Sequence, residues 1–401
     1  MMQEKMKQTE IGEIPESWSI TKIKEIGEVI TGSTPSTKNE NFYGGEYNLI
    51  SPADLDNGKY VQSAHRKLTQ AGYERCTPVP QNSILVGCIG NIGKLGMIND
   101  NYSTTNQQIN SVIVNSNYNP HFIYYMLHNC RQRLIQSAAK VTVPILNKKN
   151  FENFSIPIPP LSEQKKIATV LSKIEQNIDA KDELIKTIKE LKKSMMQHLF
   201  TYGTKSEKTK GKTIYWKGWR EIKLGEVAVL NYGKSLPKQK RILGDVPVFS
   251  SAGLIGKHNE PLVTEPGIII GRKGTIGSVY KSDISFFPID TTFYVSKSDT
   301  KCDLDFLYYL LKGLALDRLN SDSAVPGLNR NTAYAQDIKI PPLPEQKKIA
   351  SILSIIDERI ENYEGQKSAL QALFKSMLNK LMTGQIRVDK LAIDVSELEL
   401  Q

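Results

Sequence analysis

The feature that most constrains this chain is that one long passage occurs twice. Pro159, Pro160, Leu161, Ser162, Glu163, Gln164, Lys165, Lys166, Ile167 and Ala168 return, offset by 182, as Pro341, Pro342, Leu343, Pro344, Glu345, Gln346, Lys347, Lys348, Ile349 and Ala350. Upstream, residues 143–147 match 325–329 and 122–127 match 306–311. Gly90-Asn91-Ile92-Gly93 matches Gly274-Thr275-Ile276-Gly277, and Gly27-Glu28-Val29 matches Gly225-Glu226-Val227. A repeat this long describes two similar modules, because solenoid units are several times shorter. Each half therefore reads as a globular domain followed by a helix, with domains at 1–160 and 204–342, helices at 161–203 and 343–384, and a tail at 385–401.

The helices follow from periodicity. From Ile167 the apolar positions fall at Leu171, Ile174, Ile178, Ile185, Ile188, Met195 and Leu199, interrupted by Lys181 and Lys192. The second copy gives Ile349, Leu353, Ile356, Ile360, Leu370, Phe374, Met377 and Leu381, interrupted by Tyr363 and Lys367. This four-three spacing is a heptad seam, so both read as long coiled-coil-type helices. Each begins after a Pro-Pro pair that resists helix upstream, with Glu163 or Glu345 in the first turn where the helix dipole favours an anion. Pro344 suits the first helical position, and each helix ends near a glycine, Gly203 or Gly384. Ile156-Pro157-Ile158-Pro159-Pro160 reads as a stiff polyproline spacer that sets the helix direction rather than as a ligand for a proline-binding domain. About forty residues of helix span roughly 60 Å. Antiparallel packing of the two stripes is expected to place the domains at opposite ends of a shared rod with approximate two-fold symmetry. Such a pair suits a ligand with its own local dyad, of which double-stranded DNA is the commonest.

The fold class expected for the globular parts is α+β, with short strands and helices. Residues 83–87 and 267–271 are apolar runs bounded by turn residues and read as buried strands; 47–51 and 246–251 read as further strands, 120–137 and 304–319 as helices. Between them lie polar, Gly-rich loops carrying Asn, Gln, Arg and Lys, the residues that read base edges, and Ser and Thr, which serve phosphates. Ordinary polar turns would look the same at any single position. The formal charge of +10 is concentrated in residues 201–342, where 21 Lys and Arg face 14 Asp and Glu. A pI near 9.1 is compatible with nucleic acid, and equally with a generically basic protein.

Several function classes drop out. Residues 87–95 superficially suggest a phosphate loop, but the glycine spacing is wrong and Leu95 stands where Ser or Thr would hold magnesium. The five histidines show no HExxH or other ligand spacing, and no G-x-S-x-G elbow, amino-methyltransferase tetrapeptide or dinucleotide fingerprint occurs. Cys76, Cys88, Cys130 and Cys302 stand too far apart for a zinc site and read as buried free thiols. No stretch approaches the roughly 20 apolar residues of a membrane helix, and no leader opens the chain, so a cytoplasmic location is expected. A chain that does no chemistry itself is the reading.

With Pro-Pro-Leu-x-Glu-Gln-Lys-Lys-Ile-Ala opening each long helix and residues 381–387 closing the second, the chain resembles the specificity subunit of bacterial Type I restriction–modification systems, over about 12–387. The resemblance implies two target recognition domains, each reading one half of a bipartite DNA site. It also implies helices that fix the gap between half-sites and dock two methyltransferase subunits, with restriction subunits joining them. S-adenosylmethionine, ATP and magnesium are then expected on those partners and no cofactor on this chain. Carried over by position, the DNA-binding candidates are Ser51, Asn91, Lys94, Asn106, Gln107 and Gln108 in the first domain. In the second they are Ser250, Ser251, Arg272, Lys273 and Thr275, and the helix-entry loops add Asn147, Lys148, Asn329 and Arg330. Lys140 is a further basic candidate, in a stretch where the repeats diverge: Lys140-Val141-Thr142 stands against Asp322-Ser323-Ala324. Glu163, Gln164, Lys165 and Lys166, with Glu345, Gln346, Lys347 and Lys348, are the candidates for partner docking. Two other readings stay open: a recognition subunit serving a fused methyltransferase–nuclease, and a coiled-coil adaptor whose heads bind protein. The adaptor would show neither the sequence preference nor the steep salt dependence of phosphate-contacting heads.

Overall fold

A computed structural model describes residues 5–139, 143–204, 208–209, 212–213, 218–319, 327–388 and 393. The chain divides into two compact units: 1–180 with 367–401, and the continuous segment 181–366. The two long helices, Leu161–Tyr202 and Leu343–Met382, each contribute one part to either unit.

In the first unit, strands Gly27–Thr31, Ile109–Val114, Ile84–Gly87 and Leu95–Met97 form an antiparallel sheet in that spatial order. The apolar run at 84–87 is buried throughout, as expected for a strand covered on both faces. A second sheet has the order Arg66–Leu68, Tyr43–Ile50, Ser103–Thr105, Pro78–Val79, with one parallel pair. Helix Pro120–Asn129 starts with Pro at its first turn and an Asn119 side-chain cap, and buries Phe122, Tyr125 and Met126 against the first sheet. It stops at Cys130, and a separate helix, Arg131–Gln136, follows. Ile167, Ala168 and Leu171 of the first long helix and Leu378, Leu381 and Met382 of the second complete this core.

The second unit repeats the plan. Strands Asn231–Tyr232, Thr292–Ser296, Gly267–Gly271 and Val279–Ser282 form the corresponding four-stranded sheet. Gly253–His258, Val246–Ser250 and Phe287–Pro288 form the smaller one, again with one parallel pair. Helix Leu304–Gly313, capped by Asp303, packs against the larger sheet. Leu199, Ile349, Ala350 and Leu353 from the long helices enter the core.

The expected spacer before the first long helix is a strand instead. Ser155–Ile158 pairs antiparallel with Ser19–Lys22, and Asp337–Ile340 with Arg220–Lys223 in the second unit. Pro157 lacks a donor, which an edge strand tolerates, and the alternating apolar residues Ile156 and Ile158 reach the core. Three of the four interruptions of the heptad seam, Lys181, Lys192 and Tyr363, are accounted for. Lys192 pairs with Asp357 at 2.5 Å and Lys189 with Glu364 at 2.6 Å, which sets the helix segments of the second unit antiparallel. Lys181 lies 4.8 Å from the ring centroid of Tyr363, so one interruption covers another. Cys76, Cys88 and Cys130 are buried and Cys302 half-buried, all as free thiols. Among the described residues no helix is long and apolar enough to cross a membrane.

Candidate nucleic-acid interface

In the first unit the loop after strand Ile84–Gly87 turns through Gly90 and Gly93, both with positive φ, +70° and +78°. The Gly87 and Gly93 amides close the loop on the Lys94 and Gly87 carbonyls. The Cys88 amide donates to the Gln108 carbonyl, and the Gly90 and Leu146 amides tie the loop to Pro144 and to Cys88. Asn106 donates its amide to Ile50 and its side chain to Gln108 Oε1, and Thr34 Oγ donates to Gln107 Oε1 at 2.7 Å. Asn91, Lys94, Asn106, Gln107, Gln108 and Asn147 therefore meet at one edge of the sheet, with Asn91, Gln107 and Asn147 exposed.

Ser51 is nearby but engaged. Its amide and hydroxyl both donate to Asp54 Oδ2 at 2.8 Å, and His65 holds the other oxygen. Burial opposes the charged form of Asp54, but hydrogen bonds from His65 and Ser51 outweigh it and hold the carboxyl below its ordinary value. Asn147 caps the short helix Lys148–Glu152 by accepting from the Asn150 amide, and Lys148 stands 3.7 Å from Glu152. Lys140 lies outside the described residues, as do residues 141–142 and 322–324.

The second unit builds the same edge from different side chains. Gly274 and Gly277 have φ +77° and +73°, and the Leu328 amide donates to the Arg272 carbonyl as Leu146 does to Cys88. The Arg272 and Lys273 amides both donate to the Thr291 carbonyl, and a Cβ on Gly274 would lie 3.1 Å from Ser251 Oγ. Lys273 and Thr275 are exposed, whereas Ser250 and Ser251 are buried; Ser250 accepts from the Ala252 amide and acts as a turn residue. Asn329 caps helix Arg330–Tyr334 and leaves Arg330 against the sheet edge. The sequence reading missed Tyr232, which is 50% exposed with both Arg272 and Arg330 stacked on it. Its signal was an aromatic among polar residues, Asn231-Tyr232-Gly233-Lys234, in a stretch too short to show a period.

The docking candidates divide. Glu163 is 1% exposed and accepts from Arg387 Nε and Nη2 at 2.6 and 2.9 Å and from Trp18 Nε1 at 3.2 Å. Gln164 accepts from the Asn119 amide and donates to the Pro159 carbonyl; Gln346 does the same with Asp303 and Pro341. Glu345 accepts from the Thr204 amide and hydroxyl at 2.6 and 2.7 Å. Glu163, Gln164 and Gln346 are thus corrected from docking residues to internal clasps, because their side chains are buried, and Glu345 makes a similar clasp while half-buried. Lys347 and Lys348 are exposed, and Lys165 and Lys166 half-buried.

The sequence profile for the Type I restriction modification DNA specificity domain matches residues 15–190 and again 216–372, covering most of the chain. The chain belongs to this family. As a Type I specificity subunit it carries two recognition domains for a bipartite site. It is 27% identical to the MjaIX specificity subunit of Methanocaldococcus jannaschii over 96% of this chain and 97% of that one. It is also 31% identical to the HindI specificity subunit of Haemophilus influenzae, over 41% of this chain and 38% of that one. The crystal structure of a Type I S subunit from M. genitalium shares its fold, with TM-score 0.66 at 19% identity over 95% of this chain and 99% of that one.

Proposed function

We propose that the loop edge of each four-stranded sheet reads one half of an asymmetric bipartite DNA sequence, and that the long helices set the gap and carry methyltransferase subunits, which restriction subunits join. The observation that carries this reading is the paired loop edge: two units share its backbone, down to the positive-φ glycines and the amide from Leu146 or Leu328, yet present different side chains there. A common scaffold with divergent polar tips reads two different short sequences, since base edges are discriminated by side-chain donors and acceptors. The chain supplies recognition and no chemistry, with S-adenosylmethionine, ATP and magnesium held by its partners in the cytoplasm.

The test is to express the full chain with its methyltransferase partner and map modified adenines across host DNA. A single bipartite motif with a fixed gap is expected. No new methylation from a soluble, cofactor-bound complex would overturn the reading.

A further inference from the structure

At three equivalent positions of the two sheets the side chains differ in kind. Register aligns Gly87 and Gly271 as strand ends, which pair with Ile109 and Thr292. One step on, Asn110 pairs with Thr31, and Phe293 with Tyr232. The residue after each strand-end glycine is Cys88 in the first unit and Arg272 in the second.

In the first unit these positions form a closed polar chain. Thr31 Oγ donates to Asn110 Oδ1 at 2.7 Å, and Asn110 Nδ2 donates to Cys88 Sγ at 3.1 Å. Burial pushes the Cys88 thiol up to about 11, so it stays neutral. In the second unit they form a cationic stack. The Arg272 guanidinium lies 5.3 Å from the Tyr232 ring centroid and 5.8 Å from that of Phe293, and its Nη2 donates to the Asp290 carbonyl at 2.8 Å. Arg330 covers Tyr232 as well, at 5.1 Å, and lies 5.9 Å from Tyr334.

We infer that Arg272 is a specificity-determining residue that reads a guanine in the half-site bound by the second unit, with Tyr232 as its positioning residue. This rests on the DNA-reading function proposed above. Phosphate contacts hold any such domain on the duplex and are needed by both units alike. The position of Arg330 fits that common task, because its counterpart Lys148 is also a cation at the start of a short helix. Arg272 does not fit it, since its counterpart is a buried neutral thiol. A guanidinium held against two aromatic rings and a backbone carbonyl is a pre-positioned fork, and the bidentate match of that fork to guanine O6 and N7 is the commonest specific contact in the major groove.

The test uses the full chain with its methyltransferase partner, comparing wild type, Arg272→Ala, Tyr232→Ala and Tyr232→Phe on duplexes that vary each base of both half-sites. Wild type is expected to require a guanine in one half-site. Arg272→Ala should reduce discrimination at that single position by about 10- to 100-fold and leave the other half-site unchanged. Tyr232→Ala should relax the same position in part, with Tyr232→Phe restoring it. Intact discrimination of the other half-site by each variant shows that it is folded. Unaltered discrimination in Arg272→Ala would overturn the inference, as would uniform weakening on every duplex with a salt slope reduced by about one, the mark of a phosphate contact. Wild type that methylates no bipartite motif would instead remove the function on which the inference stands.

Discussion

Replacing Arg387 by alanine tests how the first unit is closed. The Glu163 carboxylate is almost fully buried, and Arg387 gives it two hydrogen bonds while reaching Ser17 with the same Nη2. The substitution takes two charge-assisted hydrogen bonds from a carboxylate at 1% exposure. Breaking a buried pair by removing one partner costs about 3–5 kcal/mol; since Arg387 is 16% exposed and water can follow it in, the lower end applies. For a unit of about 200 residues, 3 kcal/mol corresponds to a fall in Tm of about 6–12 °C. Calorimetry of wild type, Arg387→Ala, Glu163→Gln and the double variant closes the cycle. The double variant should lose clearly less than the sum of the singles, because Gln at 163 removes the charge that Arg387 hydrogen-bonds. A Tm for Arg387→Ala within 2 °C of wild type, or strict additivity, would refute the clasp.

Three further outcomes follow from named contacts. Gln164→Ala and Gln346→Ala should each cost about 1–3 kcal/mol in denaturant titrations, because each strands a part-buried amide and a buried proline carbonyl; a loss at only one of them would break the equivalence of the units. Lys59, packed on Tyr125 and Ser172, is lowered from 10.5 to about 8 by burial, despite the opposing attraction of Glu175. Between those values the unfolded chain holds a proton that the folded chain has lost, so stability attributable to Lys59 rises from pH 8 towards 10; Lys59→Met should remove that rise, and an unchanged Tm difference across the range would contradict it. Matched four-residue insertions in both long helices add about 6 Å each and should lengthen the gap of the methylated motif, whereas an unchanged gap would end the ruler role.

The long helices were legible because a heptad stripe and a Pro-Pro boundary are local signals. The strands at 84–87 and 267–271 were legible for the same reason. The strand Ser155–Ile158 was not, because its partner Ser19–Lys22 lies far away in sequence and its prolines imitate a spacer. Glu163 and Gln164 looked like surface residues since glutamate and glutamine usually are, and only the distant Arg387 and Asn119 reveal why they are buried. At the loop edge, the repeat located the residues but not their roles: Ser51 and Ser250 hold turns, while Tyr232 sits in a two-residue strand without any period to announce it.

The division of the chain also fixes an order of events during synthesis. The second unit is one uninterrupted segment, 181–366, whereas the first needs 367–401 to join 1–180. At about 5–20 residues per second, a ribosome takes roughly 10–40 s to make the intervening stretch. Throughout that interval Leu378, Leu381 and Met382 have yet to be made, so the core that Ile167 and Leu171 join is still incomplete. The domain begun first is finished last, and a stalled or truncated message would release it without the last part of its core.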